Sequence, residues 1–318
     1  MWLHGGRAGG MEAADACTAY PPIMALASPS PTRRRFIGTA GLAGLGFLAL
    51  QAEDKPAASL RFGICTGLKN ARQAADAGAD FLEESVSGTL NPDAPESEFR
   101  KQLEAIKACP LPVPAFNGYI RRPDLKCVGP AANHDQVMAY CRIALERAGR
   151  AGARTIVFGS AGSRKVPDGW DRAKAMDQFA ALLKAMGPAA ADHGLVVALE
   201  PLNVKECNFL NRIGEVAEAA ARADHPAIRS VADLYHMKMG GDTPDDLRKA
   251  MPFVHHIEIA QQDGRKLPAP GGEDFVPFFK VLHQASFRGT LSMEGSWKPA
   301  DLAPAFAELR RQWAAAGA

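Results

Sequence analysis

Several common signatures are missing from this sequence, and each absence excludes a class of protein. The six cysteines contain no Cys-x-x-Cys pair, which excludes a zinc ribbon, and they are too few to staple 318 residues as a small disulfide scaffold. Basic and acidic residues nearly balance, with a formal net charge of +2, so no broad nucleic-acid-binding surface is expected. We expect scattered, mostly buried thiols, and a Cys109–Cys127 disulfide stays open.

Long apolar runs and phosphate-binding motifs are also missing. No apolar stretch reaches the roughly 18 residues that predict a membrane-spanning helix. No glycine-rich phosphate-binding fingerprint follows the first predicted strand, where the chain reads Cys-Thr-Gly-Leu-Lys-Asn (65–70). That absence disfavours an open, doubly wound dinucleotide-binding sheet.

The leader, residues 1–52, resembles a twin-arginine export signal. Three arginines, Arg33–Arg35, precede a mildly apolar, glycine-rich stretch that runs to Leu50 and is followed by Gln51 and Ala52. That stretch is about 15 residues long, shorter than a membrane span, so an uncleaved anchor is the weaker alternative. The start of translation stays open between Met1 and Met24, and we expect processing near Ala52. The mature part, residues 53–318, would then be exported to the periplasm or another extracytoplasmic space, without a stable membrane span.

Strand-like and helix-like segments alternate eight times from residue 60 onward. Short apolar, β-branched runs predict strands at residues 60–65, 80–84, 113–117, 155–159, 195–200, 230–233, 254–260 and 290–294. Amphipathic segments predict the helices between them, with residues 161–170 as a loop and a helix at 245–251 after the sixth strand. Eight such units of about 30 residues predict a single (β/α)8 TIM barrel over residues 53–318.

Acidic residues lie at the ends of the last four predicted strands. Glu200 closes the fifth strand, and Asp233, Glu258 and Glu294 lie at the ends of the sixth, seventh and eighth. In a (β/α)8 barrel these ends meet at one mouth, where active sites are found. Taken singly, each acid could be a solvated loop residue or a helix cap. Together they would repel one another, and a bound divalent cation would relieve that repulsion. The oxygen-rich set predicts manganese or magnesium, with cobalt or zinc as alternatives.

Four motifs at these strand ends carry a family resemblance. They are Leu-Glu-Pro-Leu-Asn (199–203), Asp-Leu-Tyr-His-Met (233–237), His-Ile-Glu-Ile-Ala (256–260) with Gly264-Arg265, and Ser-Met-Glu-Gly (292–295). Together they resemble the xylose isomerase-like barrels, and among these the sugar isomerases and epimerases that include hydroxypyruvate isomerase and ketose 3-epimerases. The resemblance implies a metal-dependent sugar isomerase or epimerase that removes a proton next to a carbonyl and forms an enediolate.

The same resemblance implies a role for each candidate residue. Glu200 and Glu294 match two metal-binding glutamates that also act as general acid and base, and Asp233 matches a metal-binding aspartate. Substrate contacts are expected from five further residues, which are His236, Glu206, Arg265, Asn203 and His256. The expected partner is a small free sugar or keto-sugar, with no nucleic acid, and a homo-oligomer stays open.

The seventh strand departs from the family pattern. Family members usually have His-x-His there, with the second histidine on the metal, whereas this chain has His256 and Glu258. Strand alternation puts both residues on one face, so Glu258 could replace the imidazole, and an all-carboxylate site would favour a harder ion. Two alternatives stay open: metal binding is altered or lost, or His255 or His256 supplies the ligand after a local bulge.

Three other functions fit parts of the pattern. A metal-dependent lyase or dehydratase acting on keto-sugars or inositols would use the same enolisation and then expel a leaving group. A non-catalytic sugar-binding barrel would follow if Glu258 marks a lost metal site. An apurinic endonuclease-like nuclease is disfavoured, because it needs histidines where this chain has Glu83-Glu84-Ser85 and Asn117.

Overall fold

Eight parallel strands pair in sequence order and close into a barrel in the computed structural model, which describes residues 60–318. Strand β1 pairs with both β2 and β8, which closes the sheet. The strands are β1 (Arg61–Cys65), β2 (Phe81–Ser85), β3 (Ala115–Asn117), β4 (Thr155–Phe158), β5 (Val196–Leu199), β6 (Ile228–Asp233), β7 (Val254–Ile259) and β8 (Thr290–Met293). The predicted (β/α)8 barrel is confirmed, while the predicted leader lies outside the described residues.

Ten α-helices lie within residues 60–318 and cover the outside of the sheet or shape its mouth. They are α1 (Ala71–Asp76), α2 (Glu96–Lys107), α3 (His134–Arg150), α4 (Ala161–Arg164), α5 (Arg172–Ala191), α6 (Ile213–Ala223), α7 (Leu234–Gly240), α8 (Pro244–Ala250), α9 (Val276–Gln284) and α10 (Leu302–Gly317). The sequence did not predict α4 and α7. With four residues, α4 is too short to show a helical repeat of apolar residues, and it lies in the segment predicted as a loop.

Strand alternation decides which side chains line the barrel interior. Val157, Ala198 and Val231, on β4, β5 and β6, form a small apolar cluster separate from the main core between sheet and helices. We place this cluster inside the barrel, as one of the layers that fill such folds. Two positions further along β5 and β6 are Glu200 and Asp233, which therefore face the barrel mouth.

The strand register places residues of β7 and β8 at the same level of the barrel as Asp233. Asp233 pairs with Glu258 on β7, and Glu258 pairs with Ser292 on β8. The sheet thus places acidic positions of separate strands side by side before any loop contributes.

In the middle of β1, a glycine makes room for an aromatic ring. Gly63 pairs with Phe81 on β2, and a Cβ atom at Gly63 would lie 2.4 Å from two carbons of the Phe81 ring. Phe81 is fully buried, so its ring fills interior space that β1 leaves free.

Two smaller expectations can be checked against residues 60–318. The five cysteines in this range are free thiols, so the Cys109–Cys127 disulfide left open by the sequence is not formed. No helix in this range is both long enough and apolar enough to cross a membrane.

Replacing Gly63 by alanine should lower the free energy of unfolding by about 1–3 kcal/mol, because the new methyl group overlaps a packed ring. Gly214, in the first turn of α6, provides a control, since a Cβ atom there would meet nothing within 4 Å beyond its own helix. Gly214→Ala should leave stability unchanged or raise it by up to about 1 kcal/mol. Urea unfolding followed by circular dichroism measures both, and equal stabilities for the two variants would contradict the packing argument.

Candidate active site

Four carboxylates meet where β5 to β8 end. Glu200 follows β5, Asp233 ends β6, Glu258 lies in β7 and Glu294 follows β8. One oxygen of each lies within 4.8 Å of the others, and the first three residues are more than nine-tenths buried. We call these four residues the mouth carboxylates. The residues that the strand ends predicted as metal ligands therefore lie in one cluster.

Burial and mutual repulsion raise the pKa values of three mouth carboxylates. Burial raises the pKa of Glu258 well above its usual value, and the neighbouring carboxylates raise it further. The pKa of Glu200 is also raised well above normal, by burial and by the charges of Glu294 and Asp233. Burial raises the pKa of Glu294 to about 7, against the opposing charge of Arg265. Such a cluster holds either protons or a cation near neutral pH.

The surroundings of Glu258 fit a cation ligand. Among residues 60–318, neither of its carboxylate oxygens has a hydrogen-bond partner, and the residue is 1% exposed. A buried carboxylate in that state is costly unless it is protonated or coordinates a metal. The mouth carboxylates together offer only oxygen donors, the set that hard divalent cations prefer.

Asn203 orients the imidazole of His236 beside this cluster. The backbone N–H of Asn203 donates to Nδ1 of His236 at 3.1 Å, and the side-chain amide lies 2.9 Å from the same atom. Since Nδ1 accepts, the neutral ring carries its proton on Nε2, which lies 3.5 Å from Glu200 Oε1 and 3.9 Å from Glu206 Oε2. Burial lowers the pKa of His236, which keeps the ring neutral. A protonated Nε2 is a hydrogen-bond donor and does not ligate a metal.

Helix α7 fixes the position of His236. The carboxylate of Asp233 caps this helix by accepting the backbone N–H of His236 at 3.0 Å. One aspartate therefore both contributes to the mouth carboxylates and sets the direction in which the chain leaves β6.

Arg265 and Asn117 hold the two oxygens of Glu294. The guanidinium of Arg265 forms an ion pair with Oε2 of Glu294 and lies 3.4 Å from Glu206 Oε1. Its charged carbon lies 4.8 Å from the ring centre of Tyr235, a cation–π contact. The amide of Asn117 donates to Oε1 of Glu294 at 3.3 Å. The predicted residues Arg265, Glu206 and Glu294 thus share one charged network, and Asn117 joins it from β3.

Two residues that the sequence did not single out help to position Glu200. Arg164 is fully buried, and its Nη1 donates to the carbonyl oxygens of Phe158 at 3.1 Å and Glu200 at 2.8 Å. A Cβ atom on Gly159 would lie 2.0 Å from Glu200 Oε2, so a side chain there would displace the carboxylate from its present position. A lone arginine in a predicted loop gives no sequence signal, whereas a glycine at a strand end could have indicated a close approach.

A second buried group lies deeper in the barrel. His256 Nε2 is 2.9 Å from Glu83 Oε2, and His256 Nδ1 is 2.7 Å from Thr290 Oγ1. Although burial raises the pKa of Glu83, the charge and hydrogen bond of His256 lower it overall. The sequence suggested that His256 contacts substrate. In the structure it is fully buried, two positions before Glu258 on β7, with both ring nitrogens engaged, and the substrate contact stays a prediction.

The bulge that the sequence left open is present in β7. A register shift between β6 and β7 leaves His255 as an extra residue between the paired positions Val254 and His256. Nε2 of His255 lies 3.1 Å from Thr155 Oγ1 on β4. Neither histidine therefore takes the place of Glu258 among the mouth carboxylates.

A cavity of about 530 Å³ opens beside Glu294, over the ends of β1, β2 and β3. Its wall includes the polar side chains Thr66, Lys69, Ser85, Gln102 and Asn117. Cys65 also lines it, and burial raises the pKa of this thiol well above normal, so it stays protonated. The cavity offers hydrogen bonds to a small polar molecule held next to the mouth carboxylates.

Several curated proteins are similar to part of this chain. A Danio rerio protein named "Putative hydroxypyruvate isomerase" is 31% identical over 159 residues, which are 47% of this chain and 57% of that protein. The 3-dehydro-D-guloside 4-epimerase of Escherichia coli (strain K12) is 28% identical over 125 residues, 39% of this chain and 47% of the enzyme. This chain thus spans about half the length of these relatives.

Fold and family are shown over a larger part of the chain. The crystal structure of 3-keto-D-glucoside 4-epimerase from E. coli has a TM-score of 0.66 and 22% sequence identity, covering 80% of this chain and 100% of that one. At that identity the likeness shows the fold alone. The family description "Xylose isomerase-like TIM barrel" matches residues 71–315. Because this match covers most of the sequence, the chain belongs to the xylose isomerase-like TIM barrel family.

Proposed function

We propose that this chain is a sugar isomerase or epimerase that depends on a divalent cation and moves a proton at a carbon next to a carbonyl. The observation that carries the proposal is the clustering of Glu200 and Glu294 with Asp233 and Glu258 within 4.8 Å at the barrel mouth. The names of the similar curated proteins, an isomerase and an epimerase, support the same reaction class.

The mouth carboxylates would hold the cation, with manganese or magnesium favoured by their oxygen donors and cobalt or zinc compatible. When bound, the cation would supply positive charge that stabilises negative charge developing on a substrate oxygen. The unpartnered oxygens of Glu258 support its role as the ligand from β7.

Glu200 and Glu294 would divide the proton transfers. The pKa of Glu294, about 7, suits a group that both takes and returns a proton near neutral pH. Arg265 and Asn117 fix the direction of its carboxylate. Return of the proton to the same carbon gives epimerisation, and return through the neighbouring carbon gives isomerisation. Loss of a leaving group instead would make the enzyme a lyase, which product analysis separates.

His236 would bind a substrate oxygen through its Nε2–H. The proton is held at that atom because Nδ1 accepts from Asn203. Glu206 and Arg265, which lie at the same mouth and contact each other, would bind substrate hydroxyl groups.

The substrate we propose is a free sugar or keto-sugar. Export through the leader predicted for residues 1–52 would place the enzyme in the periplasm, where we expect it to meet a free sugar or a keto-sugar derived from a glycoside and not a phosphosugar.

Substitution of either catalytic glutamate should abolish proton exchange. In D₂O with manganese, the purified protein should exchange the hydrogen on the carbon next to the carbonyl of a 3-keto-glucoside or hydroxypyruvate for deuterium. Proton NMR measures this exchange as the loss of that hydrogen's signal. Glu200→Gln and Glu294→Gln should each slow this by at least about 10²-fold, because the group that transfers the proton is lost. Glu104→Gln, at an exposed position on α2, is the control. Undiminished exchange in both variants would refute the assignment.

Cation affinity should fall as the pH drops through 7. The raised pKa values mean that Glu294, Glu200 and Glu258 take up protons in the metal-free protein, and these protons compete with the cation. Each displaced proton weakens apparent affinity by about tenfold per pH unit below the pKa. Calorimetric titration with manganese at pH 6, 7 and 8 tests this. Glu258→Ala should lose most of the binding, and an affinity independent of pH would contradict the raised pKa values.

The tautomer of His236 gives a third test. Nitrogen-15 NMR of the histidine-labelled protein should show His236 neutral at pH 7 with its proton on Nε2. Asn203→Asp should raise the pKa of His236, because it puts a negative charge near Nδ1. A neutral ring protonated on Nδ1 in the unmodified protein would contradict the proposed hydrogen bond to substrate.

A further inference from the structure

Glu258 belongs to two groups of potential ligands. One is the mouth carboxylates, and the other is the group formed by Glu83, His256 and Glu258, which we call the inner group. The ligand atoms of the inner group also lie within 4.8 Å of one another, and its three residues are 0%, 0% and 1% exposed. Glu258 therefore connects the barrel mouth to a second, fully buried cluster.

Polar atoms of the inner group lack partners among residues 60–318. Oε1 of Glu83 and both oxygens of Glu258 are buried without a hydrogen bond, as is Oγ of Ser292, which pairs with Glu258 in the sheet. An unpaired buried polar atom is costly, and more so when it is charged. A cation shared by Glu83 and Glu258 would satisfy these oxygens, as would shared protons.

The imidazole of His256 is oriented as a metal-binding histidine is. Its Nδ1 contacts the hydroxyl of Thr290 at 2.7 Å, which fixes the ring and directs Nε2 to Glu83. Ligating histidines regularly have such a partner on their second nitrogen. The 2.9 Å between Nε2 and Glu83 Oε2 also suits two ligands of one cation, each at about 2.0–2.2 Å.

We propose that the inner group is a second cation site and that Glu258 bridges it to the cation at the barrel mouth. A carboxylate has two oxygens and can give one to each cation, whereas a neutral imidazole at position 258 could ligate only one. The mixed nitrogen and oxygen donors select manganese, cobalt or zinc over magnesium. The second site rests on the proposed function for the first cation, and it gives a reason for glutamate where the family pattern has histidine.

Manganese titration of the full chain tests the pair of sites. After removal of metal by a chelator and dialysis, the protein should bind two manganese ions per chain. Its electron paramagnetic resonance spectrum should show magnetic coupling between two ions that share a bridging carboxylate. One bound ion with the spectrum of isolated manganese would overturn the proposal and would mean that protons satisfy the inner group.

Variants identify which residues hold the second ion. Glu83→Gln keeps the side-chain size. It should weaken binding of the second manganese ion at least about tenfold, remove the magnetic coupling between the two ions and leave binding of the first ion unchanged. Thr290→Val keeps every ligand and should weaken the second ion about 10–100-fold through loss of the ring orientation. Glu84→Gln is the control, because Glu84 lies next to Glu83 but bonds Thr89 and the backbone of Leu68. Two coupled ions in both test variants would overturn the assignment.

The outcomes separate this proposal from the proposed function. One bound ion with deuterium exchange overturns the second site and leaves the isomerase or epimerase proposal standing. Two coupled ions without exchange of any tested keto-sugar support the second site and count against the proposed reaction. A protein that binds no manganese at all overturns both.

Discussion

Repulsion among buried carboxylates is the constraint on which the rest of the site depends. Glu83 and the mouth carboxylates bring five acidic groups into one barrel, where burial weakens their solvation. Burial raises the pKa values of Glu200, Glu258 and Glu294. The charges of Arg265 and His256 oppose the effect of burial at Glu294 and at Glu83. Arg265 orients Glu294, and His256 lowers the pKa of Glu83. Glu258 has no such partner among the described residues, which makes it the group most dependent on a cation.

The barrel can hold mutually repelling groups because its stability comes from elsewhere. Apolar side chains between the sheet and the helices form one large core, and a small cluster at Val157, Ala198 and Val231 fills the interior below the mouth. Strand register then fixes Asp233 beside Glu258, and neither strand can slide without turning its core residues outward. The contacts that orient individual groups come from the loops and short helices, where Arg265 and His236 lie.

The position of Glu258 gives a chemical meaning to the glutamate that the seventh strand has where family members usually have a histidine. A histidine there would offer one nitrogen to one cation, whereas the glutamate offers two oxygens between two clusters of ligands. His255 and His256, which could have compensated for the missing imidazole, are engaged with Thr155, Glu83 and Thr290 instead. Family membership therefore describes the fold, and the donor set of the site decides which cations it suits.

The sequence by itself determined the barrel and the four acidic positions at its mouth. The spacing of apolar residues that distinguishes strands from helices is a local property of the chain. Every predicted strand boundary therefore lies within two residues of the observed one. An acid at a strand end is equally visible, which is why Glu200, Asp233, Glu258 and Glu294 could be named in advance. Only the tertiary structure decided that Arg164 bonds the carbonyl of Glu200, that Gly159 makes room for its carboxylate, and that His256 turns to Glu83. These contacts join residues far apart in sequence, and they depend on register, on a bulge and on short helices that no periodic pattern records.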